Sequence, residues 1–132
     1  AFLAREKSRG IAARDIVLAG FSQGGAIALH TGLRHTEGLA GILALSTYLP
    51  LAETLDRESS DANERVPVFM AHGTQDPVVP LALAESSRAT LASRGLAPDW
   101  HTYPMPHSVC AEEVGAISAW LAARFASPIL LA

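Results

Sequence analysis

The stretch IVLAGFSQGGAIALH, Ile16–His30, decides the fold. An apolar run enters Gly20-Phe21-Ser22-Gln23-Gly24, and a small-residue helical pattern follows at once. The run reads as a short strand buried on both faces of a parallel sheet. The segment from Gly24 to about Arg34 reads as a helix. A serine between two glycines at such a junction is the G-x-S-x-G nucleophile elbow. On this reading the strained turn needs both glycines, because a side chain two residues from Ser22 would clash. The helix directs its free N–H groups and positive dipole end toward the serine, where an oxyanion would form. The plain alternative is a Gly-rich turn with a solvated serine. A strand before and a helix after favour the elbow.

Outward from the elbow, strands and helices alternate. Ala1–Ser8 reads as the last turns of a helix closed by Gly10. GILALS (Gly41–Ser46), VPVFMAHG (Val66–Gly73) and DWHTYPM (Asp99–Met105) read as further strands. Pro67 lies near a strand start, where proline is tolerated. A helix is expected from Pro80 to Arg94, with Pro80 in its first turn and Gly95 at its end. Another is expected over Ala111–Phe125, with Val114, Ile117, Leu121 and Phe125 on its apolar face. Residues 47–65 read as a long loop with one helical turn around Leu51–Leu55. The apolar tail SPILLA is assigned no element. The alternation predicts one α/β domain over residues 1–132, with a mostly parallel sheet and flanking helices. Ligand sites on such sheets lie beyond the carboxyl ends of the strands.

That placement selects candidates for chemistry. Ser22 follows the first strand, and a serine needs a base and an orienting acid to act as a nucleophile. With an elbow of this type the chain order is serine, acid, histidine. Asp76 follows the third strand in HGTQDPVVP, and His107 follows the fourth in PMPHS. Asp76 also suits a turn-forming Asp-Pro, and the two roles are compatible. Asp56 and Asp61 fall in the polar loop, and Asp99 begins a strand at the wrong end. His30 and His35 lie in or just after the helix that follows the elbow, His72 suits a turn-structuring role, and His101 sits inside a strand. Cys110 reads as a partly buried bystander thiol. Tyr48, Leu49 and Leu51 follow a strand end and are expected to line a substrate pocket, although core packing explains them equally well. No His, Cys and acidic residues have metal-ligand spacing, and no G-x-x-x-x-G-K-[ST] phosphate loop occurs.

Composition bounds the partners. A formal charge of −3 without a block of Lys or Arg argues against nucleic acid or an anionic membrane surface. No apolar run reaches the roughly 18–20 residues that span a bilayer. One cysteine permits no internal disulfide and predicts a reducing, cytoplasmic setting.

LAGFSQGGA, HGTQDPVVP and YPMPHSV together resemble the phospholipase/carboxylesterase family of α/β-hydrolases, which includes the acyl-protein thioesterases. GFSQGGA, ALSTY and WLAAR are most similar to its bacterial carboxylesterases. The resemblance implies an α/β-hydrolase fold with Ser22 as nucleophile, Asp76 as triad acid and His107 as base. It also implies that the backbone N–H of Gln23 is one oxyanion donor. The implied substrates are small carboxylic esters, thioesters of acylated proteins or lysophospholipids, and the implied cofactor is none. The family's L-H-G-x-G motif, source of a second oxyanion donor, has no counterpart here. The resemblance therefore covers the C-terminal part of the family domain, without its N-terminal strands. Such a partial domain is expected to leave DIVLAG as an open sheet edge, giving poor solubility, a homodimer through that edge, or low activity. The competing expectation is a non-catalytic α/β module that acts by association.

Overall fold

The structure, a computed structural model, describes residues 1–126. The apolar tail, residues 127–132, lies outside them. Four parallel strands form one sheet in the order β1-β2-β3-β4: Val17–Phe21, Gly41–Leu45, Val68–Gly73 and Asp99–Tyr103. The helices are α1 (Phe2–Ser8), α2 (Gln23–Arg34), the short α3 (Leu55–Glu58), α4 (Leu81–Ser93) and α5 (Ala111–Phe125). Every residue of β3 is buried, whereas β1 and β4 each alternate with exposed positions. The run entering the elbow is therefore not buried on both faces as expected: β1 is as apolar as β2, but it lies at the sheet edge and none of its residues is fully buried, because among the described residues it has a strand neighbour on one side alone.

The two-residue period of the strands divides the core into two layers. Ile42, Ala44, Val68 and Met70 point to one face, where they pack with Leu29 and Leu33 of α2 and Leu91 of α4. Leu43, Phe69, Ala71 and Tyr103 point to the other, where Trp120 of α5 covers them. The crossovers through α2, α3 and α4 all return over the first face, and α5, which follows β4, covers the second.

Two further sequence expectations are corrected here. Residues 47–65 carry the helical turn expected around Leu51–Leu55, but they are more ordered than a long loop. They form 3₁₀ turns at Ala52–Thr54 and Asp61–Asn63 on either side of α3. Buried Asn63 fastens the last of these turns, accepting from Leu39 N–H at 2.8 Å and donating to the carbonyls of His35 and Glu37. The apolar face of α5 is also rotated from the expected one. Val114 and Phe125 are exposed, and the inward stripe is Glu113, Ile117, Trp120 and Leu121. The spacing of three and four was right, but its phase is set by Trp120 filling the space over Gly41.

Candidate active site

Three strand ends bring Ser22, Asp76 and His107 together. Ser22 caps α2 with φ 57° and ψ −120°, a strained conformation for a residue with a side chain. Its own N–H donates to Leu45 O at 2.8 Å, which ties the turn to the end of β2. His107 Nε2 stands 2.9 Å from Ser22 Oγ, and His107 Nδ1 stands 2.7 Å from Asp76 Oδ2. With its proton on Nδ1, the ring donates to Asp76 and leaves Nε2 to accept from the serine hydroxyl.

Asp76 serves two purposes with two oxygens. Oδ1 accepts from the N–H groups of Val78 and Val79 at 2.8 and 2.9 Å, the turn-forming role. Oδ2 faces His107. Burial by itself pushes the carboxyl up, but the hydrogen bond with His107 and those from Val79 and Val78 outweigh it. The net result holds Asp76 below the ordinary aspartate value, so it is a charged partner for the imidazole. Buried His72 braces the same turn by donating from Nε2 to Val79 O at 2.7 Å.

The loops bearing Asp76 and His107 are fastened to each other. Thr74 N–H donates to Tyr103 O and Gln75 N–H to Met105 O. At Gly73 a Cβ would lie 2.3 Å from the carbonyl oxygens of Met105 and Pro106, so only glycine lets the loops approach this closely. Phe21 lies over the His107 ring with centroids 4.8 Å apart. That contact went unread in the sequence, although Phe21 sits beside the motif serine.

The elbow glycines divide differently from the expectation. A Cβ at Gly20 would meet Gly24 C and O at 2.1 Å, so the first motif glycine is obligatory. A Cβ at Gly24 would meet nothing within 4 Å. The second tight position is Gly25, where a Cβ would meet Thr47 Cγ2 at 2.6 Å and Gly20 O at 2.9 Å.

Beside the elbow runs a cleft of about 320 Å³ lined by Gln23, Ala26, Ile27, His30, Tyr48 and Leu51, with Pro50. Tyr48 and Leu51 therefore lie where a pocket was expected. Leu49 does not. It is buried in the core beneath α2 and α4, with its N–H donating to Ser87 Oγ at 2.9 Å. Gln23 opens α2, where the first N–H groups of a helix have no intrahelical acceptor. Cys110 is half-buried at the start of α5. Among the described residues no cluster of His, Cys, Asp and Glu is arranged to hold a metal ion. None of the described helices is long and apolar enough to cross a membrane.

Residues 1–124 match the phospholipase/carboxylesterase family model. The chain is 43% identical over 120 residues to acyl-protein thioesterase 1 of Gibberella zeae, a match covering 89% of this chain and 51% of that protein. It is 45% identical over 125 residues to acyl-protein thioesterase 1 of Neurospora crassa, covering 91% of this chain and 50% of that protein. Among solved structures it is similar to Arabidopsis thaliana SOBER1, with a TM-score of 0.88 and 25% identity over 95% of this chain and 60% of that one. It is similar also to esterase PE8, with a TM-score of 0.86 and 32% identity over 94% of this chain and 57% of that one. The chain spans about half the length of the curated relatives it matches. An elbow serine, strands in parallel order and a family match along nearly the whole chain agree, and the chain belongs to the phospholipase/carboxylesterase family of α/β-hydrolases.

Proposed function

We propose that this chain carries the catalytic triad of a serine hydrolase that cleaves carboxylic esters or thioesters. The observation that carries the reading is the linked pair of contacts, Ser22 Oγ to His107 Nε2 at 2.9 Å and His107 Nδ1 to Asp76 Oδ2 at 2.7 Å. His107 takes the hydroxyl proton as Ser22 attacks the acyl carbonyl, then delivers it to the departing alcohol or thiol. Asp76, held ionised, keeps the imidazole in the required tautomer and stabilises the imidazolium. The Gln23 N–H stabilises the tetrahedral oxyanion. Water, deprotonated by the same histidine, then releases the acyl group from Ser22. No step draws on a metal or organic cofactor.

The cleft floored by Ala26 and Ile27 and walled by Tyr48 and Leu51 starts at Gln23, so an acyl chain on Ser22 has an apolar surface to follow. Two relatives are named acyl-protein thioesterases, which supports an acyl thioester or ester as the substrate class. Hydrolysis of p-nitrophenyl acetate, butyrate and octanoate, with an acyl-cysteine thioester, tests the reading. Turnover should exceed that of Ser22→Ala for at least one substrate. A folded parent no faster than Ser22→Ala on all of them refutes it.

A second reading, a module that acts by association, has one observation in its favour. Among the described residues β1 pairs only with β2, so its other edge is open, and an apolar groove lined by Phe2, Leu18 and Ile27 runs beside it. A soluble, folded chain that lacks turnover and self-associates through this edge would support that reading.

A further inference from the structure

Thr47 makes contacts that a structural threonine at a strand end does not need. It is fully buried, and its hydroxyl donates to Ser22 O at 2.6 Å. Its methyl group packs against Gly25, in the first turn of α2. Ser22 O already accepts from the N–H groups of Gly25 and Ala26 at 3.0 and 3.1 Å, so helix formation alone satisfies that carbonyl. The threonine contact adds direction.

The peptide joining Ser22 to Gln23 is planar and trans, so its N–H points opposite to its C=O. A group that fixes the Ser22 carbonyl fixes the direction of the Gln23 N–H. The strained backbone at Ser22 needs such a restraint, because conformations of this kind persist only where the surroundings over-determine them. Leu45 and Thr47 supply it from one short segment, Leu45 O holding the Ser22 N–H and Thr47 holding the Ser22 carbonyl. Between them Ser46, at φ 51°, makes the sharp bend that lets both reach the elbow. A donor on the carbonyl also polarises the peptide and strengthens its N–H as a hydrogen-bond donor.

We propose that Thr47 is a positioning residue for the oxyanion donor: by holding the Ser22 carbonyl, its hydroxyl aims the Gln23 N–H at the oxygen on which negative charge develops. This rests on the serine-hydrolase reading above. The test is phosphonylation of Ser22 by a fluorophosphonate probe, resolved into a binding constant and a rate constant across pH. Thr47→Val keeps the shape and removes the donor, and Thr47→Ala removes the donor without filling the site. Thr47→Ser keeps the donor. Loss of one hydrogen bond that aligns a transition-state donor should slow the rate constant about tenfold in Val and Ala variants. The binding constant and pH midpoint should stay unchanged, and Thr47→Ser should keep within about threefold of the parent rate, since its donor is intact. A folded Val or Ala variant at the parent rate overturns the proposal, as does a serine variant as slow as valine. A folded parent that takes no probe overturns the hydrolase reading and this proposal with it.

Discussion

Replacing Gly20 and Gly24 in turn by alanine separates the two glycines of the elbow motif. A Cβ at Gly20 would stand 2.1 Å from Gly24 C and O and 2.5 Å from Gly25 N, all backbone atoms. Ordinary carbon contacts are at least 3.5 Å, so α2 must retreat from β1 by about 1.4 Å. Ala26, Ala28, Leu29 and Leu33 are buried on that helix and would move with it. Overpacking of this kind costs at the upper end of the usual range, about 3 kcal/mol. For a domain of this size that corresponds to a fall in Tm of about 10–15 °C. Gly24→Ala meets no atom and replaces a helical glycine with the best helix former. It should stabilise by up to about 1 kcal/mol, less this close to the helix start, raising Tm by up to about 4 °C. Thermal unfolding followed by circular dichroism, with urea titrations to check that the m-value is constant, reads both. Equal tolerance of the two alanines, or a greater loss at Gly24, would refute the packing argument.

Three further outcomes turn on two buried carboxyl groups, Asp76 and Glu113. Asp76→Asn keeps the size of the side chain but no longer imposes the Nδ1-protonated tautomer on His107, so ester turnover should fall by about 10⁴-fold. The same carboxyl makes stability acid-sensitive. Its folded pKa lies below the ordinary 3.8, so its contribution is present above that value and is lost as pH falls through the lower folded one. Urea titrations from pH 5 down to 2 should show this slope in the parent and a shallower one in Asp76→Asn. Glu113 has the opposite sign. Burial pushes its carboxyl up, the backbone of Cys110 opposes this only in part, and neither oxygen has a well-formed hydrogen bond. Stability is therefore full below the ordinary glutamate value of 4.5 and declines as pH rises through the raised folded one. Glu113→Gln should match the parent at pH 4 and exceed it at pH 8, and equal stabilities at both would contradict this.

The fold was legible where one rule governed a whole segment. Continuous apolar runs at Val17–Phe21, Gly41–Leu45 and Val68–Gly73 are all strands of the parallel sheet, although the run itself does not tell the edge strand β1 from the central β2 and β3, and Ser22, Asp76 and His107 fall directly after strands. Features that depend on which neighbour fills a space were not legible. Periodicity gave the spacing of the α5 stripe but not its phase, because Glu113 is buried and Val114 exposed against polarity. The turns around α3 are too short to show a period, and the side chains that order them, Asn63 and Arg34, are read only in three dimensions. Likewise, the motif names Gly24, whereas the tight contact falls on its neighbour Gly25 through Thr47, a residue distant in sequence.

The proposed chemistry requires Ser22 to be an activated nucleophile. Its most direct test is covalent capture by a fluorophosphonate, mapped by peptide mass spectrometry, on the parent chain, Ser22→Ala and His107→Ala. One adduct, on Ser22, is expected in the parent and none in either variant, because the hydroxyl reacts only with the imidazole 2.9 Å away as its base. A folded parent without adduct, or His107→Ala labelled as fast as the parent, would contradict it.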